Sequence, residues 1–334
     1  MAETQNIGEV ATRISEDIFE YFRWNIHPAT NRNFTCTSDD HKTVGGGKKL
    51  THPTDVVFYY DDPYLGRKIY LNTDLKSYGE SSITPGSLRT ALKSLALSVE
   101  CANVSEEWRT RHVIDPSEPF DVRGLLFVHN HDHGFRHEFT DTLKKVDLAA
   151  LPIAGNTYLH VLGPQDINRL YSVANDLSKL LQRKELSEDY TFYYPDLVLW
   201  RRQGDVWGQA ATVETLTAPY AVVKHGGTDK VRAGYIVYYN RPGAGVMEFE
   251  YFLDSLSRLQ LLDKESHVRV RVCHKLPDDE IQSNFLVAKN RYSKAWGFDP
   301  ARAAVLDAIK LEHIVAVTDN YSPAQLGWRE GDGK

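Results

Sequence analysis

The chain has 334 residues, 42% hydrophobic, 25% charged and 11% aromatic, the balance of a globular protein long enough for two domains of about 100–200 residues each. No apolar run reaches the roughly 18–20 residues that span a bilayer, and Met1–Asn6 has neither the basic start nor the apolar stretch of a secretory signal; Cys36, Cys101 and Cys273 show no C-x-x-C spacing, so neither a disulfide framework nor a zinc finger is supported, and a reducing cytoplasm is the expected setting. The net charge of −6 argues against a protein that coats nucleic acid by bulk electrostatics, but not against a nuclease, which needs acids for its metal and only a local basic surface.

Residues Ile7 to Trp24 read as an amphipathic helix, with Ile7, Val10, Ala11, Ile14, Ile18, Tyr21 and Phe22 at helical spacing and His27-Pro28 ending it. Asn31 to Pro53 is polar, contains Gly45-Gly46-Gly47-Lys48-Lys49, and is expected to be a mobile surface loop. Strands are predicted over Asp55–Tyr60 and Lys68–Lys76, joined by a turn-forming segment, so the pair reads as a hairpin. A helix follows Pro85-Gly86, with Leu88, Leu92, Leu95, Ala96 and Val99 on one stripe, then strands near Gly124–Val128 and Thr157–Leu162 and a helix near Gln165–Gln182. The charged stretch Arg183–Asp189 marks the expected domain boundary, giving domains 1–185 and 186–334. Beyond it strands are predicted near Phe192–Arg201, Ala210–Leu216, Gly234–Tyr239, His267–Val272 and His313–Val317, with helices near Glu248–Leu262 and Asp278–Trp296. Strands and helices alternate in both halves, so the fold class is α/β or α+β with mixed sheets.

The chemistry gathers at the hairpin. In a strand, alternate residues share a face, so Asp74 and Lys76 point the same way, and the hairpin can bring Asp55 beside Asp74. Two carboxylates and a lysine on one sheet edge suit a hard divalent cation with oxygen ligands, which polarises a phosphoryl oxygen and lowers the pKa of a bound water. Asp74 and Asn72 are disfavoured by β propensity in a strand otherwise rich in Tyr and Leu, and such exceptions tend to mark function.

At these residues the sequence resembles the PD-(D/E)XK nuclease superfamily, with its restriction-endonuclease-like fold. Its pattern is an acid opening one strand, then D/E-x-K on the next, with a helix before and a helix after. Asp55 matches the first acid, although Pro53-Thr54-Asp55 replaces Pro-Asp; Asp74 matches the second acid and Lys76 the lysine. The resemblance covers roughly residues 7–130. It implies a restriction-endonuclease-like mixed sheet flanked by helices, with Mg²⁺ (Mn²⁺ as a substitute) held by Asp55, Asp74, the Leu75 carbonyl and a first-helix Glu. Glu16 is the choice, with Glu9 and Glu20 as competitors. Lys76 would position or activate the attacking water. The implied activity is phosphodiester hydrolysis, with DNA as substrate, in restriction or phage defence, by a homodimer or with a partner subunit; nothing in the residues themselves separates DNA from RNA.

Rival signals are weaker. His129 and His131 follow a strand directly, as in metal-dependent hydrolases, but later histidines do not fall at strand ends, and a polar loop leaving a core strand is the favoured reading. Asp196 and Glu214 imitate the first motif, with Leu216 where a lysine is needed; an unrelated hairpin is preferred to a degenerate nuclease copy. The Gly45–Lys49 loop fails the phosphate-loop pattern at Lys42 and Lys49. Lys42, Lys48, Lys49, Arg67, Lys68, Arg109 and Arg111 could touch a nucleic-acid backbone, with solvated surface charge as the default. Tyr235, Tyr238, Tyr239, Phe249, Tyr251 and Phe252 read as core rather than a stacking patch. Arg269 and Arg271 alternate with Val268, Val270 and Val272 and make the best candidate contact face outside the first domain. A non-catalytic binding subunit is the remaining alternative.

Overall fold

The Asp61–Gly66 segment closes the hairpin: the Asp62 carboxylate accepts from the backbone N–H groups of Tyr64 and Leu65, at 2.9 and 2.8 Å, and Gly66 sits at φ 60°, where a side chain would be strained. The computed structural model describes residues 15–43, 45–155, 157–195, 208–264, 266–295, 297 and 299–316. They form two compact units that divide between Asn168 and Arg169, earlier than the charged stretch at 183–189.

The first unit opens with helix α1 (residues 15–21) and strand β1 (Asn25–Ile26), followed by β2 (Phe34–Thr35), β3 (Thr51–His52), β4 (Val56–Asp62) and β5 (Arg67–Tyr78). Helices α2 (Pro85–Val104) and α3 (Glu106–Arg111), strand β6 (Phe120–Asn130), helix α4 (Phe139–Leu143) and strand β7 (Leu159–Leu162) complete it. The sheet order is β1-β4-β5-β6-β7. The β1–β4 and β4–β5 pairs are antiparallel and the β5–β6 and β6–β7 pairs parallel, as expected where a helix carries the chain back between strands. On one face Phe19 of α1 meets Phe58 and Phe127. On the other, Leu88, Leu92, Leu95 and Val99 of α2 pack with Val57, Leu126 and Val128. Helix α2 starts sharply because Thr84 and Ser87 cap each other's backbone N–H groups and Pro85 is its first residue.

The stretch from Asn31 to Pro53 departs from the expected mobile loop. β2 and β3 pair antiparallel, and Phe34, His41 and His52 are buried. These three side chains give an otherwise polar segment something to bury, which composition alone concealed.

The second unit takes up helix α5 (Pro164–Gln182) from Arg169 onward, then β8 (Thr191–Phe192), α6 (Val213–Thr217), β9 (Tyr220–His225) and β10 (Gly234–Tyr239). Helix α7 (Val246–Arg258), β11 (His267–Val272), helices α8 (Ile281–Ala295) and α9 (Pro300–Ala308) and β12 (Lys310–His313) follow. Its sheet order is β8-β9-β10-β11-β12, antiparallel through β10 and parallel beyond. The first sheet has the same plan: an edge strand, an antiparallel hairpin, then two parallel strands reached through helices. Tyr235, Tyr239, Phe249 and Phe252 are core, as the spacing predicts, while Tyr251 is exposed.

Three expectations change here. The strand predicted at 210–216 is instead α6, capped by Thr212, whose side chain accepts from the Thr215 N–H; the actual hairpin partner of β10 is β9. Of the strand predicted at Phe192–Arg201, Thr191–Phe192 is strand, and residues 196–201, Asp196 included, lie outside the described residues. The Arg269/Arg271 face is not a free basic surface: Arg271 forms a two-nitrogen contact with Asp176 and reaches Glu312 at 2.5 Å, and Arg269 donates to the Glu185 carbonyl. Helix α5 supplies the acid that the sequence pattern could not show.

Candidate metal-dependent active site

The β4–β5 register pairs Val56 with Thr73, so one step further places Asp55 opposite Asp74. That is the juxtaposition expected from the sequence. Asp55 sits just before β4, and its carboxylate accepts the Leu75 N–H at 2.7 Å. Asp74 is 8% exposed, and Lys76, two residues on and on the same face, donates to its carboxylate.

Behind the acids lies a ring of buried hydrogen bonds. The Thr54 hydroxyl donates to Asn72 Oδ1 at 2.8 Å, Asn72 Nδ2 to Ser98 Oγ at 3.0 Å, and Ser98 Oγ to the Pro53 carbonyl at 3.2 Å. Asn72, singled out by its poor β propensity, therefore ties both acid-bearing segments to α2. A narrow cleft lined by Pro53, Asp55, Thr73, Asp74, Ser94 and Ser98 opens at this point.

The electrostatics fit a cation. Burial pushes the Asp55 carboxyl above the usual aspartate range, and the negative charge of Asp74 pushes it further, outweighing the Leu75 N–H and the Lys76 charge. Burial alone would pull the Lys76 ammonium down, but the Asp74 and Asp55 carboxylates together hold it above the ordinary lysine value. Two opposed carboxylates with one lysine leave a net negative, oxygen-lined cleft, the donor set that Mg²⁺ or Mn²⁺ accepts.

The remaining predicted residues are placed as follows. Glu16 is half-buried on α1, Glu20 on the same helix is exposed, and Glu9 lies outside the described residues. Helix α1 packs through Phe19 on the Phe58 and Phe127 side, the face opposite Asp74 and Lys76. His129 and His131 both turn to Ser77 Oγ, at 3.3 and 3.4 Å. Ser77 alternates with Lys76 and so faces away from the acids. His129 is held down to about 4 by burial, then by the charges of His133 and His131. The loop after β6 is a polar turn: Asn130 Nδ2 donates to the Tyr78 carbonyl, its Oδ1 accepts from Phe135 N–H, and the Asp132 carboxylate accepts from the backbone of Glu80 and Gly134.

Six of the seven cations proposed for a nucleic-acid surface, all but Lys49, have protein partners. Arg67 pairs with Asp121 and Lys68 with Asp61, each at 2.8 Å, Lys48 pairs with Asp39, and Arg111 with Glu107. Lys42 donates to the Asp39 carbonyl, and Arg109 to the Asn103 carbonyl. Sequence reading missed one grouping altogether, Cys36, His41, His52 and Cys101, because Cys36 and Cys101 stand 65 residues apart and no short motif announces them.

Comparison with known proteins bears on the same segment. Residues 1–166 match the family described as the GAPS4 protein PD-(D/E)XK nuclease domain. No curated protein and no solved structure matches the chain.

Proposed function

Residues 1–166 belong to the PD-(D/E)XK nuclease superfamily, and from that premise we propose that the chain is a divalent-metal-dependent nuclease that hydrolyses phosphodiester bonds in DNA. The observation that carries the proposal is the convergence of Asp55, Asp74 and Lys76 at the open end of the β4–β5 hairpin, with the Leu75 N–H fixing Asp55. Restriction or phage defence is the setting the resemblance implies, with a second copy or a partner subunit supplying the second cut of a duplex.

Asp55 and Asp74 would hold the ion, together with the Leu75 carbonyl; Glu16 is left out of the set, because α1 packs on the opposite face of the sheet. Bound there, Mg²⁺ supplies Lewis acidity toward a phosphoryl oxygen and a more acidic water. The chain's own residues do the rest. The Leu75 N–H holds the Asp55 carboxylate in place, which lowers the reorganisation needed to receive the ion. Lys76 stays cationic at neutral pH because its carboxylate neighbours raise its pKa. Its part is therefore to donate a hydrogen bond and to neutralise charge gathering on the phosphate, not to abstract a proton.

Cleavage of plasmid, linear duplex, single-stranded DNA and RNA with Mg²⁺ or Mn²⁺ tests this. Lys76→Ala is expected to lower the rate by about 10²-fold or more, and Asp74→Ala to abolish Mg²⁺ binding in a calorimetric titration. Equal cutting by wild type and Lys76→Ala would place the chemistry elsewhere, and preferred cutting of RNA would overturn the substrate.

A further inference from the structure

Cys36 lies just past β2, His41 in the loop beyond it, His52 on β3 and Cys101 near the end of α2. These four side chains converge, with their donor atoms all within 4.8 Å of one another. His41 is 4% exposed, His52 0% and Cys101 1%, and all three cysteines of the chain are free thiols. The cluster is separate from the acids of the hairpin.

Four of the six donor–donor distances are those of a metal polyhedron. With metal–sulfur bonds of about 2.3 Å and metal–nitrogen bonds of about 2.0–2.1 Å, a tetrahedral zinc site has edges of roughly 3.8 Å for S···S, 3.3–3.4 Å for N···N and 3.5–3.6 Å for S···N. Here the Cys36 and Cys101 sulfurs are 3.8 Å apart. His41 Nδ1 and His52 Nε2 are 3.3 Å apart. Each sulfur lies 3.4 Å from His41 Nδ1. Ordinary core packing gives no reason for two imidazole nitrogens and two thiols to aim at one point with these spacings.

The surroundings fit the same reading. The Thr37 N–H points at Cys101 Sγ from 3.4 Å, a contact that stabilises a thiolate. The far nitrogen of His41, Nε2, lies 3.4 Å from the Glu100 carboxylate, an acid within reach of the outer position that orients a metal-bound imidazole.

We propose that Cys36, His41, His52 and Cys101 bind one Zn²⁺ in a closed tetrahedral Cys2His2 site. All four positions come from the protein, so no position is left for water or substrate, and the ion is structural rather than catalytic. It cross-links the β2–β3 segment to α2, which accounts for the order of a polar stretch whose composition predicts a loose loop. It also fixes the approach to the acids: His52 immediately precedes Pro53, whose carbonyl is held by Ser98, one helical turn before Cys101. This inference stands independently of the nuclease reading.

The test is metal analysis of the full chain, purified without chelator and dialysed against Mg²⁺ buffer. About one zinc per chain is expected in wild type, in Asp74→Ala and in Cys273→Ser, and less than about a tenth of that in Cys36→Ser/Cys101→Ser. Zinc missing from wild type, or retained by the double variant, overturns the site. Because that variant can lose its fold together with the ion, wild type is also produced with cobalt in place of zinc. Intense tetrahedral bands with a thiolate-to-cobalt charge-transfer band support the site; a weak octahedral spectrum without it refutes it.

Discussion

At the scale of single residues, the candidate site stores its own repulsion. Asp55 is pushed above the ordinary aspartate range by burial and by Asp74, so the folded chain holds that proton more tightly than the unfolded chain does. The sign follows from proton binding: where the native state binds more protons, stability falls as pH rises. The penalty is absent below the unfolded aspartate pKa, grows as pH rises toward the folded one, and is complete above it. Asp55→Asn removes it while leaving an oxygen to accept the Leu75 N–H. Without added metal, the variant is expected to be more stable than wild type at pH 7 by about 0.5–2 kcal/mol, with the difference vanishing as pH falls through the carboxylate range. Its cleavage activity and its stabilisation by Mg²⁺ should both be lost. Urea denaturation at several pH values, with and without Mg²⁺, checks this; a variant less stable than wild type at pH 7 would mean that Asp55 is a structural acid.

At the scale of elements, helix α2 is the piece on which the site depends. It covers one sheet face with Leu88, Leu92, Leu95 and Val99, and Ser98 on the same helix carries the polar ring that joins Pro53, Thr54 and Asn72. Ser98→Ala leaves the Asn72 amide and the Pro53 carbonyl buried without this partner, at a cost of about 1–3 kcal/mol. Cleavage should fall as well, since both acids follow the segments that the ring holds; unchanged activity at reduced stability would show that the ring supports the fold alone. The helix and the hairpin were legible in the sequence because their signals are local: Pro85-Gly86 ahead of leucines at helical spacing, and turn residues between two alternating strands. Asp55, Asp74 and Lys76 were legible for the same reason, since strand period and hairpin register alone bring them together. The Asn72 ring, the Asp176–Arg271 pair and the convergence of Cys36 with Cys101 are tertiary contacts between distant segments, and no periodicity encodes them. β9 was missed because its alternation is short and the Tyr194–Trp200 stretch offered a more conspicuous imitation.

At the scale of the whole molecule, the two sheets repeat one connectivity with different chemistry at the equivalent positions. In the first, the register Val56 to Thr73 sets Asp55 opposite Asp74. In the second, Tyr220 pairs with Tyr239, which sets Pro219 opposite Asn240, and the Asn240 N–H donates to the Pro219 carbonyl at 2.8 Å. Pro242 stands where Lys76 would be. The second hairpin thus offers no acid and no lysine at the hairpin positions that carry them in the first, and its polar groups are spent on structure, Tyr238 and Arg271 on Asp176. Each unit also closes a hydrophobic core of its own, so unfolding is expected in two calorimetric transitions rather than one. Gly234 separates them experimentally. A Cβ there would stand 2.1 Å from the His267 carbonyl oxygen and 2.7 Å from its nitrogen, so Gly234→Ala must push β10 and β11 apart, at about 1–3 kcal/mol. One transition should fall by several degrees while the other keeps its position, and Mg²⁺ should still raise the unmoved one. If both transitions fall together, the two cores unfold as a single cooperative block, and the second unit stabilises the nuclease domain directly.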